Sequence, residues 1–213
     1  MVDIGVYYYP GWHRKSPFNE WDIVKDAKPY FEDHHQPRIP LLGYHDDSKR
    51  STLKIQSDLA KAHGIDAFIF DYYWKHGDRP LEASVKAFTE IDTDLKFALM
   101  WSWKLPKLDL PIEMGNPSPT ENSRWVETNT IDFIQMLDYC NNTYFKKDNY
   151  WRVDGKPYFV MYFVQGLIQK LGRDKLSDIL DKGDKFMKKK GFNGLYSVGV
   201  VTDVIEAEDL GFS

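Results

Sequence analysis

Residues Phe70–Trp74 read FDYYW, an aspartate set inside an aromatic, strand-like run. A carboxylate turned towards a covering helix would sit among apolar side chains at a cost of several kcal/mol. Asp71 is therefore expected on the opposite face, and strand alternation then puts Tyr73 beside it. There Asp71 can accept from a sugar hydroxyl or act as an electrostatic partner; the alternative is a structural carboxylate paired to a nearby lysine or tyrosine. A second stretch, Met100–Trp103, reads MWSW. Trp101 and Trp103 share one face of a strand and Ser102 takes the other. Such an indole can stack on the apolar C–H face of a pyranose, or both can lie packed under helices. A third, Val2–His13, reads VDIGVYYYPGWH: a strand that ends in tyrosines, breaks at Pro10-Gly11 and continues into Trp12 and His13. Aromatic and hydrogen-bonding groups crowded at a strand's end, Tyr8, Tyr9 and His13 among them, can be ordinary core or a surface for a ligand.

Histidines stand at 13, 34, 35, 45, 63 and 76. No H-E-x-x-H occurs and no facial triad is evident, so a catalytic metal is not expected. His13 and His35 are the candidates for hydroxyl recognition; His34 and His45 read equally well as solvated loop residues. There is no G-x-S-x-G and no phosphate-cradling P-loop, and no cofactor is implied. A carboxylate pair for glycoside chemistry needs a separation of about 5–9.5 Å. Asp71 and Asp203 both follow strand positions, but spacing along a chain does not fix that distance.

These residues need strands to present them. Apolar runs at 4–9, 67–74, 96–103, 157–163 and 195–201 are nearly continuous, as expected of strands covered on both faces. Helical patterns alternate with them. Leu53, Ile55, Leu59 and Ala62 precede Gly64; Pro80 opens a pattern with Leu81, Val85 and Phe88; Phe133, Leu137 and Cys140 follow; Leu176, Ile179, Leu180 and Met187 precede Gly191. Cys140 is thereby a core residue rather than a nucleophile. Asp154–Pro157 reads as a turn. The order βαβαβαβαβ implies a parallel sheet with right-handed crossovers. A doubly wound sheet would carry G-x-G-x-x-G after its first strand, and none is present. Strand ends loaded with Tyr, Trp, Asp and Ser fit a (β/α)8 barrel of the TIM type. Eight units typically need about 250 residues. The expectation is one barrel domain over residues 1–213, comprising about five of eight βα units and stopping before a sixth strand. The long non-periodic stretch at 10–48 is expected to be functional or mobile.

The bulk properties allow this. Charged residues make up 28% and apolar ones 42%, an ordinary globular balance, and a net charge of -4 argues against a nucleic-acid partner. The aromatic content, 7 Trp, 13 Tyr and 13 Phe, suits flat ligands as well as an aromatic core. One cysteine rules out an intrachain disulfide, and no apolar run approaches a membrane span. The first strand begins so near Met1 that no signal peptide is expected in this stretch. Localisation stays open, secreted or periplasmic if a leader is removed.

The blocks GVYYYPGWH, NEWDIVKDAKPYFEDHHQPRIPLLGYHDD, GIDAFIFDYYW, FALMWSW and DGKPYFVMYF resemble the glycoside hydrolase family 99-like proteins, among them the WbsX-type group of bacterial polysaccharide and lipopolysaccharide loci. The resemblance runs from residue 4 to about residue 213, and QPRIPLLGYHDD after the Tyr-Tyr-Pro strand is its most specific part. It implies a (β/α)8 barrel acting on glycosidic bonds, with α-mannoside-active endo-enzymes among the family's members. The family's catalytic carboxylates lie in a Glu-x-x-Glu-type motif late in the barrel, which nothing here matches. WSW also departs from the W-A-N-E of many WbsX-type members. The resemblance therefore leaves the catalytic residues unknown and carries over binding positions: Tyr8 or Tyr9, His13 and Trp74 at the tops of the first two strands.

The leading expectation is a glycoside hydrolase-like, carbohydrate-active domain acting on an oligo- or polysaccharide, with α-mannoside bonds among the candidates. Its binding residues would be Tyr8, Tyr9, His13, His35, Asp71, Tyr73, Trp74, Trp101 and Trp103. The alternatives are a glycosyltransferase-like protein of surface polysaccharide synthesis and a non-catalytic glycan-binding module.

Overall fold

The computed structural model describes residues 3–13, 19–105, 125–201 and 209–213. Strands β1 (Gly5–Tyr8), β2 (Ala67–Tyr73) and β3 (Lys96–Ser102) pair in parallel in sequence order. A two-residue β4 (Arg152–Val153) leads into β5 (Lys156–Met161), which pairs in parallel with β3 and then with β6 (Tyr196–Gly199). The parallel path β1-β2-β3-β5-β6 keeps chain order, with no strand inserted out of turn as a doubly wound sheet requires. This is the open, partial-barrel form of the expected α/β fold.

The expected turn at Asp154–Pro157 is the end of a small antiparallel hairpin, β4 with β5. Asp154 and Gly155 have φ of 50° and 74°, the paired positive values that a two-residue hairpin turn demands and that Asp-Gly supplies.

Helices cover one face. They are α1 (Glu20–Lys25), α2 (Arg50–Ala62), α3 (Ala83–Phe88), α4 (Thr130–Cys140), α5 (Val164–Leu171) and α6 (Arg173–Lys189). The side chain of Asn129 caps α4 by accepting from the Asp132 backbone N–H at 3.0 Å. A π-helical turn (Asn141–Phe145) extends α4 and turns Tyr144 and Phe145 into the core. Phe68, Phe70 and Phe97 point outward onto Phe88 of α3, and Trp101 and Phe159 onto Phe133 of α4. Cys140 is buried there as expected, as are Leu176, Ile179, Leu180 and Met187 of α6.

Two helix readings are corrected. α2 buries Leu53 and Ser57, while Ile55 and Leu59 stand exposed. Its inward stripe includes a polar serine, so the apolar residues alone misplace the face. Pro80 does not open α3, because Leu81 adopts φ of 63° and the helix begins only at Ala83. The segment at 10–48 contains the short α1, and α5 went unread for want of a long periodic pattern. The fifth helix expected in the closing EAEDLGFS stretch, residues 206–213, is described only from residue 209, where residues 209–210 are helical.

Helix α6 approaches α4 closely at Gly183, where an added Cβ would lie 2.8 Å from Phe133 Cε1. Gly183→Val is therefore expected to force the two helices apart and destabilise the chain by roughly 1–3 kcal/mol. Chemical denaturation measures it, and an unchanged midpoint would contradict the contact.

Candidate functional site

Because Phe68, Phe70 and Tyr72 face the helices, Ile69, Asp71 and Tyr73 face the concave side of the sheet. Register places Asp71 level with Met100 of β3, Met100 level with Val160 of β5, and Val160 level with Val198 of β6. The carboxyl thus shares its row with apolar side chains. Among the described residues the Tyr73 hydroxyl answers it, donating at 3.5 Å. Desolvation pushes the Asp71 pKa up to about 6, and the Tyr73 hydrogen bond opposes only part of that rise. At near-neutral pH such a group can accept a hydroxyl proton in a hydrogen bond or donate its own.

The chain past β1 builds a second polar centre. Tyr9 donates its hydroxyl to Glu20 Oε1 at 2.7 Å and meets Trp12 edge-on. Trp12 lies against Trp21 with ring centroids 4.1 Å apart. His13 Nδ1 is 2.7 Å from Asp47 Oδ1, whose other oxygen accepts from the Trp12 backbone N–H at 3.3 Å. Asp47 is fully buried. Ser84 of α3 brings its hydroxyl to 3.3 Å from the same His13 nitrogen.

The remaining expected residues go elsewhere. Tyr8 points to the helix layer, its ring tilted against Phe68 and Phe70 and its hydroxyl donating to Gln56 of α2 at 2.7 Å. Burial pushes its phenol pKa far up. Trp74 is buried under α4, its indole N–H donating to Asp132 Oδ1 at 3.0 Å, and His76 reaches the same oxygen. Trp101 is buried against Phe133. Trp103 is 1% exposed and lies against Trp125 at 4.6 Å and Phe163 at 6.5 Å. Trp103 and Trp125 border a cavity of about 310 Å3 that Leu167, Lys170 and Lys175 also line. His35 is exposed on its loop. Asp203 lies outside the described residues. The structure thus groups Asp71 with Tyr73, and Tyr9 with the loop that carries His13, while Tyr8, Trp74 and Trp101 serve as core.

Asp47 and Glu82 are the polar residues that sequence reasoning passed over. Glu82 is buried and accepts from Tyr139 and Tyr144 at 2.7 Å each, with Lys86 at 2.8 Å and Arg79 at 3.1 Å. Burial opposes its ionisation, but those donors hold its pKa below the usual value. The Glu82–Lys86 spacing of i, i+4 was the readable signal. For Asp47 the sequence offers no comparable spacing. Among the described residues no three His, Cys, Asp or Glu side chains gather as a metal site would need.

The fold defines a class first. The structure is similar to the endo-α-mannosidase of glycoside hydrolase family 99 from Bacteroides thetaiotaomicron, at a TM-score of 0.60 and 10% identity, covering 98% of this chain and 59% of that one. The same enzyme with Bis-Tris propane gives 0.59 at 12% identity, covering 97% and 55%. A glycoside hydrolase-like protein gives 0.55 at 17% identity, covering 92% and 51%. The chain therefore has the barrel fold of that class and spans a little over half of those chains' length. It belongs to the WbsX glycosyltransferase family, whose model matches residues 11–212. It is also 36% identical over 154 residues to the uncharacterized protein WxcX of two Xanthomonas campestris pv. campestris strains, B100 and ATCC 33913. That match covers 68% of this chain and 20% of WxcX. Fold and family together support a glycan-acting domain.

The raised Asp71 pKa sets a test. The native state holds this proton up to about pH 6, whereas the unfolded carboxyl releases it near 3.8. Burying the charge thus costs the wild type stability as pH rises between those values. Asp71→Asn should be the more stable protein near neutral pH, on the order of 2 kcal/mol, with the gap closing below about pH 4. Thermal melts across that range decide it; a gap independent of pH would contradict the burial of the charge.

Proposed function

We propose that this chain forms the N-terminal part of a glycoside hydrolase-like barrel that acts on glycosidic bonds of a polysaccharide, α-mannoside linkages among them. The observation that carries the reading is Asp71: a carboxyl on the concave face near the C-terminal end of β2, in an apolar row, beside Tyr73. Barrels of this type gather their active sites at that end. A saccharide hydroxyl would give Asp71 the partner its apolar row withholds, and the Tyr73 ring would offer an apolar surface to the sugar's C–H face. Tyr9 and His13 would border the same cleft from the end of β1. Further βα units would come from sequence beyond the present chain, as the length of the mannosidase neighbours suggests, and would bring the catalytic carboxylates.

The family description favours a second reading, glycosyl transfer from an activated sugar. No Gly-rich loop that cradles phosphate is visible in the sequence, which weighs against it. The full-length natural protein should be titrated calorimetrically with manno-oligosaccharides and other glycans, and assayed for new reducing ends and for nucleotide-sugar consumption. Asp71→Asn is expected to weaken glycan binding by about 1.5–3 kcal/mol, the scale of a hydrogen bond to a charged group, without loss of fold. Consumption of a nucleotide sugar with no reducing ends released would install the transferase reading. Unchanged affinity in Asp71→Asn would remove Asp71 from the site.

A further inference from the structure

We infer that Asp47 is a positioning residue for His13, and that the pair presents the imidazole Nε2 as a hydroxyl-accepting group for a saccharide at the end of β1. This deepens the glycan reading and rests on it. Two buried carboxylates in the same molecule make the contrast. Glu82 is neutralised by a lysine and an arginine and accepts two tyrosine hydroxyls as well. Asp47, fully buried, has among the described residues the His13 ring nitrogen at 2.7 Å and the Trp12 N–H at 3.3 Å.

A buried carboxylate with so little compensation is costly as a mere structural device. Its geometry does one chemical thing well. An ionised carboxylate can only accept, so the proton of a neutral imidazole must sit on Nδ1 and the lone pair on Nε2. The ring is held from several elements: Asp47 from the segment before α2, the Trp12 backbone beside it, and Ser84 from α3, whose hydroxyl also reaches the Pro10 carbonyl at 3.4 Å. The His13 side chain keeps 16% of its surface open, and its Nε2 has no hydrogen-bond partner among the described residues. Fixing the tautomer through the far nitrogen, while leaving the near one open, is the same arrangement that orients imidazoles in metal and catalytic sites.

The experiment is histidine 15N labelling of the full-length protein, with long-range 1H–15N spectra recorded with and without a saturating manno-oligosaccharide. The expected result is a neutral His13 protonated on Nδ1, with the Nε2 resonance moved by the glycan. Asp47→Asn should release the tautomer preference and weaken glycan binding roughly tenfold. If Asp47→Asn fails to fold, the wild-type spectra still decide, and His13→Phe, which keeps a ring and removes both nitrogens, replaces it in the binding assay. A neutral wild-type His13 protonated on Nε2 overturns the inference. Glycan binding that leaves Nε2 unmoved overturns it too, with the glycan reading intact. If no glycan binds at all, the reading itself fails, and the hydroxyl-accepting role falls with it.

Discussion

A parallel strand roofed by helices cannot hold an unpaired carboxylate on its helix side, and the polar chemistry of this chain follows from that constraint. The outward positions of β2 and β3 are Phe68, Phe70, Tyr72, Phe97, Leu99 and Trp101, all buried. The one carboxylate in those strands is displaced to the concave face, where Tyr73 and Ser102 join Asp71. Chain-order pairing then does the rest, because it sets residues from neighbouring crossovers side by side at the same height. Asp71 is level with Met100, Val160 and Val198, and desolvation by burial raises its pKa.

The buried acids divide by their donors. Glu82 lies between α3 and α4 among cations and phenols, so it is ionised and ties the helix layer together. Asp132 accepts from Trp74 and from its own cap residue's neighbour Thr128, and His76 reaches it as well, so it fixes α4 against the end of β2. Asp71 and Asp47 have fewer donors. The first faces the concave side and the second backs an imidazole. Donor count, more than burial, separates the acids that hold the fold from those with capacity left for a ligand.

Much of this was legible beforehand. Strand alternation predicted that Asp71 and Tyr73 would share the inner face, and continuous apolar runs predicted the parallel sheet and its order. The same alternation, followed one step further, also puts Trp101 opposite Ser102 and therefore under α4. The aromatic character of Trp101 and Trp74 suggested sugar stacking, but an indole offers as much area to a helix as to a pyranose, and residue type alone does not choose between them. Asp47 was not legible, because its partner lies 34 residues away in the chain and no periodic element connects the two. Long-range polar pairs in irregular segments leave no pattern in a single sequence.

Backbone strain distinguishes the two ends of the sheet. His76 and Leu81, in the segment after β2, have φ of 48° and 63°, and Phe163, just after β5, has φ of 55°. A bulky residue in the left-handed region costs on the order of 1–3 kcal/mol and persists only where its surroundings over-determine it. For Phe163 those surroundings are identifiable: its ring stacks on Trp125 at 5.9 Å and lies parallel to Trp103. Asp33, in the connection that leaves β1, has φ of 67°, and Asp154, before β5, belongs to a hairpin turn that requires a positive value. Outside that hairpin, the positive-φ side chains among the described residues lie in the connections that leave β1, β2 and β5, and Asp71, Tyr73 and His13 stand at or past the C-terminal ends of the first two of those strands. A scaffold under selection for stability alone would have little reason to concentrate strain there, whereas one that must hold side chains in a set geometry at the strand ends would.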